Sequence, residues 1–369
     1  MSRGPAPDPP NLLGRYRRLS PKAGVLVSPI QIGTMSLGTK WNHLLGDSSK
    51  EEAFKYLDAY YEAGGNFIDT ANIQCGESEE ILGEWMEKRG VRDQIVVATK
   101  YTGAWRRHET DVQQVAFTGN SFKSMVISLE ASLKKLRTSY VDIFYLHWFD
   151  NTTSVEEIMD GLHTLVLQGK VLYLGVSNTP AFRVSQCNQY ARDHGKSQFV
   201  VYQGEWNVYT RDVERDILPM CRAEGMAFTS WNTLGMGKVR TDAEEEAREE
   251  AGEKGRTGFT DTWLRNEIEK KVCGVLEKMG KEIGTGNIRA IAIAYLLHKQ
   301  PYVFPCIGGR KVEHLMANLE ALSISLTTEQ MKEIENAGGP GKPDVAVRSV
   351  VCYDVEPAPR VIPAGGRNA

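Results

Sequence analysis

The sequence predicts an α/β protein folded as a closed (β/α)8 barrel, and three observations predict it. Short β-rich segments alternate with helical segments along nearly the whole chain, the pattern of parallel strands joined by helical crossovers. Counted in order they give eight strands, and 369 residues accommodate one barrel of roughly 250 residues with extended loops to spare. Three of these strands, in succession, end in an ionisable residue (Asp69, Lys100 and His147), at the end where a barrel gathers its chemistry. A doubly wound open sheet is the competing arrangement. No GxGxxG follows a strand, so the dinucleotide-binding form of that fold has no support.

The elements follow in order. Residues 25–33 are β-rich, with Ile30–Gly33 as the first barrel strand. Lys50–Ala63 has helical spacing, with Phe54, Leu57, Tyr60 and Tyr61 on one side, and stops at Gly64-Gly65. Phe67–Asp69 is a strand and Ser78–Lys88 a helix with glutamates in its first turn. Ile95–Lys100, Val141–Trp148 and Val171–Val176 are strands, with a helix over Ser121–Leu136 and another over Ser154–Gln168. Ser154-Val-Glu-Glu157 opens the latter as a capping box. Ala181–His194 is a helix, Phe199–Gln203 a strand, Asp212–Glu224 a helix and Ala227–Trp231 a strand. Helices over Glu267–Gly280 and Asn287–Lys299 lead to the eighth strand, Val303–Ile307, and His314–Leu322 and Thr328–Asn336 close the chain. The reading divides the chain into an N-terminal extension (1–24), the barrel (25–337) and an irregular Pro- and Gly-rich tail (338–369). Extended loops follow strands 3 (Tyr101–Asn120) and 7 (Lys238–Leu264) and are placed to shape a substrate mouth. The acidic run 242–250 within the second is expected to be a solvated helix or loop.

Composition narrows the function. A net charge of −3 gives no sign of a nucleic-acid-binding surface. Six cysteines are scattered without a CxxC pair, which suits reduced thiols rather than a disulfide frame or a zinc site. No run approaches the ~18 apolar residues of a membrane span, and residues 1–10 have no apolar signal core. A cytoplasmic protein acting on a small molecule is expected, its oligomeric state open.

A carboxylate, an ammonium and an imidazole brought to one rim would perturb one another's protonation. Taken singly, each has a plain alternative: a helix-capping Asp, a solvated Lys, a satisfied core His. Three together at the same end point to a site. Further along, Gly175-Val-Ser177-Asn178 and Tyr202-Gln203 end two strands, and Trp231 is followed by Asn232-Thr-Leu234-Gly235-Met-Gly237, where glycine permits close backbone approach to a ligand. Cys306-Ile-Gly-Gly-Arg310-Lys311 ends a strand just before a helix, an arrangement suited to an anion at a helix N-terminus. Arg310 and Lys311 are cations placed beside it.

The stretch Gly65-Asn-Phe-Ile-Asp69-Thr-Ala-Asn-Ile-Gln74-Cys-Gly-Glu-Ser-Glu-Glu-Ile-Leu-Gly-Glu-Trp85 resembles the aldo-keto reductase signature, and the resemblance runs from about Ile30 to Glu335. It is nearest to the fungal aryl-alcohol dehydrogenase and norsolorinic-acid-reductase branch, judging by Asp142-Ile-Phe-Tyr-Leu-His-Trp-Phe-Asp150 and Gly204-Glu-Trp-Asn-Val208. The resemblance implies a TIM barrel using NADPH, with Asp69 and Lys100 as an ion pair, His147 orienting the carbonyl, and hydride transfer from the nicotinamide. It also implies a catalytic Tyr where this chain has Gln74, in a stretch one residue shorter than in many relatives. Glutamine is not a usable acid near neutral pH, though its amide can donate a hydrogen bond. His147 is then the stand-in acid, and Tyr101 or Tyr209 is a possible substitute, with Tyr145 one layer deeper as core. For the cofactor the resemblance implies Thr34, Met35, Asp69, Ser177, Asn178, Gln203, Trp231, Leu234, Gly235 and Gly237, with Arg310, Lys311, His314 and Asn318 at the adenosine phosphate. Trp41, Trp105, Trp148, Trp206 and Tyr209 are candidates for an aromatic pocket or for packing.

The expected function is NADPH-dependent reduction of an aromatic or polyketide-like carbonyl in fungal secondary metabolism. Two alternatives stay open: a non-reductive acid/base enzyme (dehydratase or isomerase) on the same scaffold, and an NADPH-binding regulatory protein.

Overall fold

The computed structural model describes residue 9 and residues 11–40, 46, 48–73, 76–252 and 262–338. Eight parallel strands close into a barrel: β3 (Gln31–Gly33), β4 (Phe67–Asp69), β5 (Val96–Tyr101), β6 (Val141–Leu146), β7 (Val171–Ser177), β8 (Phe199–Glu205), β9 (Ala227–Trp231) and β10 (Val303–Gly308), with β10 pairing back onto β3. This is the (β/α)8 barrel expected from the alternation. Helices α1 (Lys50–Glu62), α2 (Glu77–Arg89), α3 (Phe122–Lys135), α4 (Val155–Leu167), α5 (Ala181–Asp193) and α6 (Ile217–Glu224) pack around it. They are followed by α7 (Asp242–Glu250), α8 (Glu267–Ile283), α9 (Ile288–Lys299), α10 (Val312–Leu319) and α11 (Thr328–Ala337). No described helix is long and apolar enough to cross a membrane.

Strand periodicity separates two cores. Outward-facing residues of the strands join the inner faces of the helices in one continuous cluster. Inward-facing residues, among them Phe67, Val96, Ala98, Ile143, Val201 and Phe304, fill the lower barrel.

One element was not expected from periodicity. An antiparallel hairpin, β1 (Arg17–Ser20) with β2 (Ala23–Val27), precedes the barrel and straddles residue 24. Its two-residue turn is Pro21-Lys22, which lacks the Gly or Asn that marks such turns in a sequence. The hairpin seals the N-terminal end of the barrel. Leu19, Ala23 and Val27 are fully buried against the inward-facing core, and the Arg17 guanidinium lies 5.1 Å from the Phe304 ring centroid.

Local chemistry corrects three other expectations. The Ser154 hydroxyl accepts from the Glu157 amide (3.2 Å), but the Glu157 carboxylate accepts from the Phe122 amide (2.9 Å) at the start of α3, so only half of that capping box forms. Complete boxes occur instead at Ser49/Glu52, Thr241/Glu244 and Asn266/Glu269. The helix expected over Asp212–Glu224 is a 3₁₀ turn (Asp212–Glu214) followed by α6, because Asp216 leaves the helical region (φ −132°) and caps Ile217 with its own side chain. The acidic run 242–250 is helical, but not wholly solvated: Glu245 is buried between Arg240 and Arg265 and accepts from both at 2.9 Å.

Candidate functional site

The register of the barrel sets Asp69 beside Ala98, and the alternation of strand faces then turns Lys100, two residues on, to the same interior. The Lys100 ammonium lies 2.6 Å from each Asp69 carboxylate oxygen and 2.8 Å from the Thr70 carbonyl. The ammonium is thus held by both oxygens of one carboxylate and by a backbone carbonyl. Gln203 at the end of β8 donates its amide N–H to Asp69 Oδ1 (3.0 Å), and Thr34 holds the Asp69 carbonyl through its amide (2.9 Å) and hydroxyl (3.0 Å). Asp69 and Lys100 are 9% and 3% exposed, so the pair is shielded from water and from screening salt. Asp69, Lys100, Gln203 and Thr34 thus form one network at the C-terminal rim.

His147 follows β6 directly. Its Nδ1 is buried and has no partner, and its ring lies 4.8 Å from that of Trp148. Burial, and then the Lys100 charge, hold the imidazole well below its ordinary pKa. Both effects favour the neutral imidazole, a hydrogen-bonding group, over the imidazolium expected as a stand-in acid. Gln74 lies outside the described residues.

Beside this network, Ser177 ends β7 with a fully buried hydroxyl that has no partner. A buried polar group without a partner costs about 1–3 kcal/mol, so an orphan at a rim marks a place for a ligand. Asn178 adopts a left-handed backbone (φ +45°), which asparagine tolerates. Its amide donates to the His147 carbonyl (3.3 Å), and its oxygen accepts from the Trp231 indole (3.1 Å). Asn178 therefore locks the Trp231 ring at the rim.

The loop after β9 turns through four left-handed residues, Asn232, Gly235, Met236 and Gly237. Its amides are already used: Gly235 donates to the Asn232 carbonyl, Met236 to the Asn232 side chain, and Gly237 to the Leu234 carbonyl. The loop therefore offers close backbone approach rather than free donors at those three positions. Gly235 is required by packing too, since a Cβ there would lie 2.8 Å from the Tyr209 ring.

The phosphate candidates form a separate group at the β10–α10 junction. No side chain caps the N-terminus of α10. The Arg310 guanidinium lies against the backbone of Gly46, where a Cβ would come within 2.4 Å of it. Burial depresses the pKa of His314, and Lys311, Arg289 and Arg248 depress it further, so cations from α10, α9 and α7 converge there. Asn318 is buried on the same helix, while Met35 stands 40% exposed after β3.

Two proposed substitute phenols are committed elsewhere. Tyr101 faces away from the lumen, fully buried and stacked on Phe144 at 5.2 Å, because strand alternation turns it opposite to Lys100. The Tyr209 hydroxyl donates to the Lys238 carbonyl (3.0 Å). Of the aromatic pocket candidates, Trp206 is core, edge-on to Phe228 and donating to Glu214. Trp105 packs edge-on against Phe117 within the loop after β5, and Trp41 lies outside the described residues. Trp148 lies against His147, and Tyr209 packs on Gly235. The loop after β5 is closed at its base by Thr102, a β-branched residue at φ +96° whose carbonyl accepts from Gly119 (2.8 Å) and whose hydroxyl accepts from Asn120 (2.8 Å). Such strain costs of order 1–3 kcal/mol and persists only where the surroundings enforce it.

Sequence reasoning missed the Gln203–Asp69 hydrogen bond and the Arg240–Glu245–Arg265 knot. No local pattern announces either contact.

The aldo/keto reductase family model matches residues 29–338. An aryl-alcohol dehydrogenase [NADP(+)] of Phanerodontia chrysosporium is 60% identical over 334 residues, covering 89% of this chain and 87% of that protein. Norsolorinic acid reductase B of Dothistroma septosporum is 50% identical over 323 residues (87% and 81%). Norsolorinic acid reductase A of Aspergillus parasiticus is 50% identical over 333 residues (90% and 83%). With the barrel, its rim network and these matches together, the chain belongs to the aldo/keto reductase family.

Proposed function

We propose that this chain is an NADPH-dependent reductase of an aromatic or polyketide-like aldehyde or ketone, working with altered acid/base machinery in fungal secondary metabolism. The observation that carries this reading is the buried Lys100–Asp69–Gln203 network beside the unpartnered Ser177 hydroxyl. The names of the similar proteins support the substrate class and the cofactor.

The residues present fit the cofactor. Ser177 and Gln203 suit the carboxamide, Trp231 offers a ring wall, and Arg310 and Lys311 suit the 2′-phosphate. NADPH bound there supplies the hydride. The chain's own part is electrostatic. Lys100 places a buried cation near the oxygen on which negative charge develops. Neutral His147 and the Gln74 amide orient and polarise that oxygen by hydrogen bonding. Neither is a strong proton donor at pH 7, so the reaction is expected to run slower than with a phenol, by about 10²–10⁴-fold.

One observation favours a second reading, NADPH binding with little turnover: the Lys100 ammonium is already held by Asp69 and Thr70, and burial favours the neutral form of His147. The test is NADPH oxidation with a panel of aryl aldehydes and ketones, for the parent chain and Gln74→Tyr. Turnover by the parent chain supports reduction. NADPH binding with no substrate conversion supports the second reading. Substrate conversion without NADPH oxidation overturns both in favour of a dehydratase or isomerase.

A further inference from the structure

Directly below the ion pair, Tyr145 fills the lumen in a manner the reaction as described does not use. It pairs with Lys100 on one side and with Gly175 on the other, all three facing inward. Gly175 is what gives the ring its room: a Cβ at that position would lie 2.5 Å from both Cδ1 and Cε1 of Tyr145. The ring therefore lies over the backbone of the neighbouring strand β7 at Gly175. The Lys100 ammonium sits 5.5 Å from the centroid of this ring. The ring's hydroxyl is buried with no good partner. The Thr229 hydroxyl lies close enough to interact with it, outside good hydrogen-bond geometry.

These facts separate two uses of a tyrosine. A tyrosine kept for its hydroxyl would find a partner when buried. Here the polar end has only a poorly aligned contact with the Thr229 hydroxyl, while the π face is applied to a desolvated cation, where such contacts are strongest. A leucine or valine in this place would fill the lumen without an unsatisfied oxygen.

We propose that Tyr145 is a positioning residue for Lys100: its ring is the floor that keeps the ammonium seated on Asp69 and Thr70, and Gly175 exists to admit that ring. The assignment rests on the reading that the ion pair serves the reaction. Its test does not depend on turnover.

Lys100 is labelled by reductive methylation with formaldehyde and borohydride in the full chain, and its modification is read by mass spectrometry against that of Lys135. The other lysine is an internal control for general loosening. Tyr145→Leu keeps an apolar filler but removes the ring, and Lys100 labelling is expected to rise about tenfold relative to Lys135. Tyr145→Phe keeps the ring, and the ratio should stay within about twofold of the parent. Gly175→Ala displaces the ring while leaving Tyr145 in the sequence, and should expose Lys100 as the leucine variant does. If Tyr145→Leu does not fold, the alanine variant carries the test. A folded Tyr145→Leu or Gly175→Ala protein with Lys100 as protected as in the parent overturns the proposal. So does a phenylalanine variant as exposed as the leucine one, since the hydroxyl would then be the working part. If the reaction is measured as well, the ring's loss should lower kcat and leave the KM for NADPH unchanged, because Tyr145 lies beneath the pair.

Discussion

The two ends of this barrel are made from the same strands and solve opposite problems. At the N-terminal end the β1–β2 hairpin closes the lumen with Leu19, Ala23 and Val27, and Arg17 spans Phe304. At the C-terminal end polar groups are left open: Ser177 keeps a hydroxyl without a partner, and His147 a ring nitrogen. Burial is nearly complete at both ends, so exposure does not distinguish them. The kind of residue does: apolar side chains and the hairpin pack the closed end, where the buried Gln31 amide is the unpartnered exception, whereas the rim gathers an ion pair and the orphaned Ser177 and His147 groups that a ligand can complete.

Three substitutions sharpen or break this contrast. The largest effect is expected at the sealed end. Phe304→Ala should cost about 3–5 kcal/mol of stability by leaving a cavity in the lower lumen, and urea denaturation measures it. Its NADPH affinity, followed by fluorescence titration, should be unchanged. Weakened cofactor binding at constant fold would mean that the two ends are coupled. At the open end Lys100→Met should lower the rate of NADPH oxidation about 10²–10³-fold, as expected for removing a buried charge aimed at the reacting oxygen. Retained turnover in that variant would remove the rim network from the chemistry. The smallest effect is expected further out, at the phosphate end. Arg310→Ala should weaken NADPH about tenfold or more, and NADH much less, as expected for one hydrogen bond to a charged group. Equal weakening of both cofactors would refute the assignment of Arg310 to the 2′-phosphate.

Much of the rim was legible before any coordinates. Asp69, Lys100 and His147 each end an apolar strand, and a barrel has one face where such ends meet. Tyr101 was kept as a candidate acid because its place beside Lys100 in sequence was read without strand parity, which turns it outward. The Gln203–Asp69 bond was not legible, because it joins residues 134 positions apart and depends on barrel closure. The hairpin escaped notice because Pro21-Lys22 is not a marked turn. Glu245 escaped because a buried glutamate in an acidic run differs from its neighbours only in what packs over it, here Arg240 and Arg265.

By itself, then, the sequence determined the alternation of strand and helix and the rim on which the ionisable residues fall. Those are properties of period and of residue identity, and both are local. Only the tertiary structure decided how they are used: that Asp69 and Thr70 together hold Lys100, that burial favours the neutral form of His147, and that the Tyr145 ring packs against Gly175. Hydrogen-bond satisfaction and desolvation depend on every strand that closes around a group, so no single stretch of chain contains them.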